Sequence, residues 1–216
     1  MLYTGKSRPI TVLGRELTFY NQRCRDWTHP YEWKQGDGDN LSNAGCGIFS
    51  LCHAGQWLTG RVFDPEAWAD FSCLHGGRGD DGTDRPGLLH GLMAAGRAEE
   101  LGFRYEEDGL RNDTDTLFAF LRDGRGVSLC NLRPGHIVCL VSAREREGVP
   151  EVLAVDSYSE SASDRVKDAV TELIPDTEIL WPVRNASGLV TGSSVSFAAF
   201  WARLSTVRDF NLLHRI

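Results

Sequence analysis

Asn43-Ala44-Gly45-Cys46-Gly47-Ile48-Phe49-Ser50-Leu51 sets a cysteine between two glycines, where a polar loop gives way to an apolar stretch that runs to Leu58. That stretch predicts a buried helix over Cys46 to Leu58 with the cysteine in its first turn. The N–H groups of a first turn have no partner inside the helix, and the helix dipole is positive at that end. Both favour thiolate over thiol. Gly45 and Gly47 permit a tight bend and let a substrate backbone come close. Cysteine is also among the most buried residue types, so this stretch separates a nucleophile from a core residue only with the help of partners elsewhere in the chain.

A thiol nucleophile needs an imidazole to take its proton and a third group to orient that imidazole. Pro134-Gly135-His136-Ile137-Val138-Cys139-Leu140-Val141 places a histidine at the mouth of an apolar run, and Glu151-Val152-Leu153-Ala154-Val155-Asp156-Ser157 ends a second run in an aspartate. Two neighbouring strands with polar residues at their ends bring His136 and Asp156 within hydrogen-bond reach. The charged segment between them, Ala143 to Pro150, contains Gly148 and Pro150 and reads as a hairpin loop.

Four separated blocks carry a resemblance. They are Tyr20-Asn21-Gln22-Arg23-Cys24-Arg25-Asp26-Trp27, Gly45-Cys46-Gly47 through Trp57-Leu58-Thr59-Gly60, Gly135-His136-Ile137-Val138, and Ala154-Val155-Asp156. In order and rough spacing the chain resembles the papain-like cysteine peptidases, in the bacterial branch related to the bacteriocin-leader-processing (double-glycine) peptidases. Where that branch commonly continues Gly-Cys-Gly with Pro-Thr or Pro-Ser, this chain has Ile48-Phe49. Proline suits the first turn of a helix but is not required there. Asp156 is followed by Ser157 in place of the frequent proline.

The resemblance implies Cys46 as nucleophile, His136 as general base and acid, Asp156 as orienting acid and Gln22 as oxyanion-hole donor, with Gly45, Gly47, Trp27 and Gly135 against the substrate. The side-chain amide of Gln22 and the backbone N–H of Cys46 together suit the negative oxygen of a tetrahedral acyl intermediate. Gln35, Asn40 and Asn43 are the competing amide donors; Gln22 is preferred because its neighbours Tyr20 and Trp27 match the pattern.

Composition narrows the classes further. With 23 Lys and Arg against 30 Asp and Glu, the net charge is −7, and no long basic run offers a phosphate backbone its cations. Nucleic acid is therefore not the expected partner; a peptide or protein substrate is. No stretch approaches the roughly 18 apolar residues of a membrane span, and the first residues lack an apolar signal core. Membrane insertion is not expected, and a cytoplasmic location is, with secretion the alternative if a leader precedes this sequence. The six cysteines, Cys24, Cys46, Cys52, Cys73, Cys130 and Cys139, are widely spaced and include no Cys-x-x-Cys pair, which argues against a disulfide framework and a structural zinc site. Asp80-Asp81-Gly82-Thr83-Asp84 lacks the ligand spacing of a calcium loop and reads as a turn and helix cap. Gly76-Gly77-Arg78-Gly79 lacks the Lys-Ser/Thr of a phosphate loop. No metal and no cofactor is expected.

The chain's 216 residues suit one domain with a helical lobe over about 40–123 and a sheet lobe over about 124–216 plus N-terminal strands. Strands are expected near Thr11 to Leu13 and Glu16 to Tyr20, then a long polar loop that walls the cleft. Helices are expected from Pro65 behind an Asp64 cap, over Arg85 to Leu101, and over Asp113 to Leu121. Strands follow over Val127 to Leu132, His136 to Ser142, Val152 to Asp156, Thr177 to Val183 and Val207 to Leu213. Ser161 to Leu173 reads as partly helical and Ser196 to Leu204 as a short amphipathic helix. Helices first and strands after indicate an α+β fold, in papain-like form a helical half packed on an antiparallel sheet. The function expected is amide-bond hydrolysis through a Cys46 acyl-enzyme. The alternatives are acyl transfer or deamidation on the same three residues, and a catalytically silent peptide-binding module.

Overall fold

A computed structural model describes residues 5–106, 109–132, 136–158, 168–187 and 189–216. Strands β1 (Ser7–Val12) and β2 (Arg15–Tyr20) form a hairpin, closed by Leu13 and Gly14 at φ 49° and 75°. Two successive positive φ values give the turn whose twist matches that of the flanking strands. A short helix α1 (Leu41–Ala44) leads through Gly45 into α2 (Cys46–Thr59), ended by Gly60 in the left-handed conformation. Helix α3 (Pro65–Leu74) starts on the Asp64 cap, whose carboxylate accepts the Glu66 N–H. A two-residue ribbon, β3 (Arg78–Gly79) with β4 (Gly82–Thr83), then precedes α4 (Arg85–Ala94).

The second half is built on a sheet of seven strands in the order β5-β13-β6-β7-β8-β12-β9, every pairing antiparallel. Its members are β5 (Phe103–Tyr105), β6 (Gly126–Asn131), β7 (Ile137–Arg146), β8 (Val149–Val155), β9 (Val170–Leu173), β12 (Ala199–Arg203) and β13 (Asp209–Arg215). Strands β10 (Glu178–Arg184) and β11 (Val190–Phe197) pair separately. Helix α5 (Thr114–Arg122) follows β5, capped by Asp113. The fold is thus α+β, with α1 to α4 before β5 and α5 after it. Among the described residues no helix is long and apolar enough to cross a membrane.

Alternation along the central strands decides what packs where. Leu129, Cys139, Val141, Leu153, Val155 and Trp201 share one core with Ile48, Leu51 and Cys52 of α2. Cys130, Val138, Leu140, Val152, Ala154 and Phe200 face the other way, against Leu117, Phe120 and Leu121 of α5. A sheet covered on both faces has near-continuous apolar strands, and this is why Cys139 is wholly buried.

The same two-sided burial explains the main departure from expectation. Ser196 to Leu204 is not a helix: it crosses from β11 into β12, which lies between β8 and β9. Its run of small and aromatic residues fits a strand buried on both faces as well as it fits a helix. Val170–Leu173 is likewise strand β9, and residues 161–167 of the segment expected to be partly helical lie outside the described residues. The helix expected over Arg85 to Leu101 stops at Ala94, because Gly96 takes φ 65°, and only a 3-10 turn follows at Glu99–Leu101. The loop expected over Ala143 to Pro150 shrinks to Glu147 and Gly148, with β7 and β8 paired out to Arg146 and Val149.

One buried histidine is expected to make the fold acid-sensitive. His53 on α2 is fully buried, stacked on Phe19 and Tyr20; its Nε2 accepts the Tyr20 N–H at 3.4 Å, and Nδ1 has no hydrogen-bond partner among the described residues. Burial drives its pKa down from 6.5 to about 4, against the opposing charge of Asp156. Above pH 6.5 folded and unfolded chains both carry it neutral. Below that, the unfolded chain takes up a proton that the folded one resists until about pH 4. Stability is therefore lost as pH falls through that window, by roughly 3 kcal/mol from this residue. Melting curves from pH 7 to pH 4 are expected to fall less steeply for His53→Gln, which keeps an acceptor for Tyr20.

Candidate active site

Cys46 opens α2 and is only half-buried, whereas Cys24, Cys52, Cys130 and Cys139 are buried and Cys73 is exposed. His136 immediately precedes β7 and Asp156 immediately follows β8. Because those strands pair with Cys139 opposite Val155, the two side chains emerge at one end of the sheet. His136 Nε2 lies 2.6 Å from Asp156 Oδ1. That leaves the other ring nitrogen for Cys46, whose thiol lies within interaction range of the imidazole. The three residues expected as nucleophile, base and orienter, read from distant parts of the chain, are therefore brought together.

The electrostatics favour an ion pair. Burial alone would raise the Cys46 thiol; the hydrogen bond and charge of His136, with the N–H groups of Ile137 and Gly47, reverse this and hold it below the usual range. Burial alone would lower His136; the charge and hydrogen bond of Asp156, then Cys46, raise it well above the ordinary imidazole value. The other five cysteines all shift up, chiefly through burial. Cys46 is thus the thiol that ionises first.

Asp156 is fully buried and does two jobs at once. Its Oδ1 accepts His136 and also the Tyr158 N–H at 2.8 Å, so it holds the His136 ring and caps the turn after β8. Tyr158 stands edge-on to the His136 ring at 5.8 Å. Gln22 joins from the other half of the chain: its N–H donates to the Ser157 carbonyl at 3.0 Å, and its Oε1 accepts the Ser157 hydroxyl at 3.1 Å. With the carbonyl end fixed, Nε2 is the end that remains for a ligand. Asn40 and Asn43 cap α1 reciprocally, and Gln35 lies exposed on the loop, so Gln22 is the amide joined to the Asp156 turn.

The residues expected against substrate divide. Gly47 is needed for a close approach, but by the protein itself: a Cβ there would lie 2.4 Å from the Thr83 side chain. At Gly45 a Cβ would collide with the Leu41 carbonyl at 2.5 Å. Trp27 is buried against Phe49 and Tyr20, with Lys6 over its ring, and holds the long loop to the first turns of α2. Gly135 lies outside the described residues.

A cleft of about 270 Å³ opens beside Cys46 and Ile137. Among the described residues its wall is not the long loop, as expected, but Asp81, Thr83 and Asp84, with Arg85, Leu110 and Asn131. Tyr31 of the loop is instead buried, its hydroxyl bonded to Ser72 and Thr83 at 2.9 Å each. Arg85 is neutralised by Asp209 and donates to the Leu129 carbonyl. Asp81 and Asp84 have no ion-pair partner among the described residues, so the free charge along this wall is negative. Nothing in the spacing of Asp80 to Asp84 signals this role; only the packing of β4 on Gly47 brings the run to the cysteine. No protein-family model, curated protein or solved structure matches this chain.

Proposed function

We propose that this chain is a cysteine peptidase of papain-like organisation, hydrolysing a peptide or related amide bond through an acyl-enzyme on Cys46. The observation that carries the reading is the convergence of Cys46, at the start of α2, on a His136 that is hydrogen-bonded to buried Asp156. In the first step the thiolate attacks the carbonyl carbon and the oxygen becomes an oxyanion, facing the Cys46 N–H and the Gln22 amide. The His136 imidazolium then gives its proton to the leaving nitrogen, the C–N bond breaks, and a thioester remains. Neutral His136 takes a proton from water, which attacks the thioester; the acid leaves and the thiolate–imidazolium pair is restored. Transfer of the same acyl group to an amine differs only in the acceptor.

Product analysis tests the reading. Incubation with a denatured peptide mixture is expected to give new carboxyl and amino termini that disappear after alkylation of Cys46; an added amine that captures the acyl group instead points to transfer. Failure of both, with Cys46 free of a peptide-aldehyde adduct, supports a silent module. Gln22→Ala is expected to lower kcat by about 10²–10³-fold with little change in KM, since the lost donor acts on the oxyanion and not on the ground-state carbonyl. Steady-state kinetics beside a melting curve check this.

A further inference from the structure

We propose that Ser50 is a positioning residue of the Cys46–His136 pair: its hydroxyl grips the backbone carbonyl of Ile137 and so fixes the start of β7, with His136, against the first turn of α2. The proposal rests on the peptidase reading above. Ser50 lies four residues after Cys46, hence on the same helix face. It is fully buried and donates to the Ile137 carbonyl at 2.9 Å, across 87 residues of sequence. Neither helix propensity nor local bonding explains it: serine is a poorer helix former than alanine, and this hydroxyl does not turn back to its own helix.

Ile137 needs an outside partner because of the topology. Pairing of β7 with β8 begins only at Cys139 opposite Val155, so the first two residues of β7 lie beyond that ladder. A buried carbonyl there must find a donor elsewhere. The same residue carries an N–H that helps to hold the Cys46 thiol below its usual range, and its predecessor is His136. One side-chain bond from α2 therefore holds in register the base, the N–H on the thiolate and the thiolate itself. Catalysis depends on that register to a fraction of an ångström.

The experiment follows Ser50→Ala and Ser50→Thr in the full chain, measuring kcat and KM on a cleaved peptide, the pH dependence of iodoacetamide labelling at Cys46, and melting. Ser50→Ala is expected to lose about 10- to 100-fold in kcat with KM nearly unchanged. Its labelling midpoint moves to higher pH, because the thiolate loses support from Ile137 and His136, and Ser50→Thr restores most of both. A folded Ser50→Ala protein with the wild-type labelling profile and kcat overturns the proposal, whatever its melting temperature. If Ser50→Ala does not fold, Ser50→Cys, with a weak donor in the same place, decides: a raised midpoint supports the role and an unchanged one removes it. Wild-type Cys46 labelling like an ordinary thiol instead overturns the peptidase reading itself, independently of Ser50.

Discussion

Cys46→Ala is expected to abolish both turnover and rapid labelling by a haloacetamide, while the melting temperature moves little. The loss should reach about 10⁴-fold or more, because removing the nucleophile of a concerted constellation leaves only binding and the oxyanion donors. Stability is spared because the thiol is half-buried at the end of α2 and replacement by alanine leaves a small void. Alanine also deprives His136 of the thiolate that helps to hold it protonated, so the imidazole should titrate closer to its ordinary value. Cys139→Ala gives the opposite result. It lies in the core between the sheet and α2, and its loss should cost on the order of 1 kcal/mol while labelling at Cys46 persists. Peptide mapping after labelling at neutral pH decides the assignment. Full activity in Cys46→Ala, with Cys24 or Cys73 labelled instead, would falsify it.

The candidate triad was legible because each member sits at the edge of an element that the apolar pattern marks: Cys46 where the loop becomes helix, His136 and Asp156 where apolar runs meet polar ends. Such edges survive the usual error in element boundaries, since a residue at a strand mouth stays there even when the strand's far end runs on, by four residues in β7 and by three in β8. The α+β division survives for the same reason. What could not be read is what lies across the site. Thr83 against Gly47, Ser157 against Gln22 and Ser50 against Ile137 are contacts between segments 36 to 135 residues apart, formed by small polar side chains with no period or motif of their own. The β12 strand was hidden differently. A sequence of alanines and aromatics buried on both faces loses the alternation that marks a strand, and what remains looks like one face of a helix.

Removal of Asp156 tests the most deeply buried member of the site and weighs its bond to His136 against its bond to Tyr158. Asp156→Ala deprives His136 Nε2 and the Tyr158 N–H of their acceptor together, so it is expected to lower kcat by about 10²–10⁴-fold and also to lower the melting temperature. Asp156→Asn keeps an oxygen for both donors and loses only the charge, and it should melt close to wild type with a smaller kinetic loss. The pH profile shows which effect dominates. The raised His136 pKa sets the alkaline limb, because activity falls as the imidazolium loses its proton; the lowered Cys46 pKa sets the acid limb, because activity rises as the thiolate forms. Without the carboxylate, the imidazolium is less stable and the thiolate loses part of its counter-charge. The alkaline limb therefore moves down and the acid limb moves up, and the active window narrows from both sides. Stability follows the same sign: the contribution of His136 is present below its unfolded pKa and is lost as pH rises through the raised folded value, so the charge removed in Asp156→Asn should matter least at alkaline pH. An Asp156→Ala protein with wild-type limbs and a lowered melting temperature would leave Asp156 as the cap of the turn after β8 and reduce the machinery to a Cys46–His136 dyad.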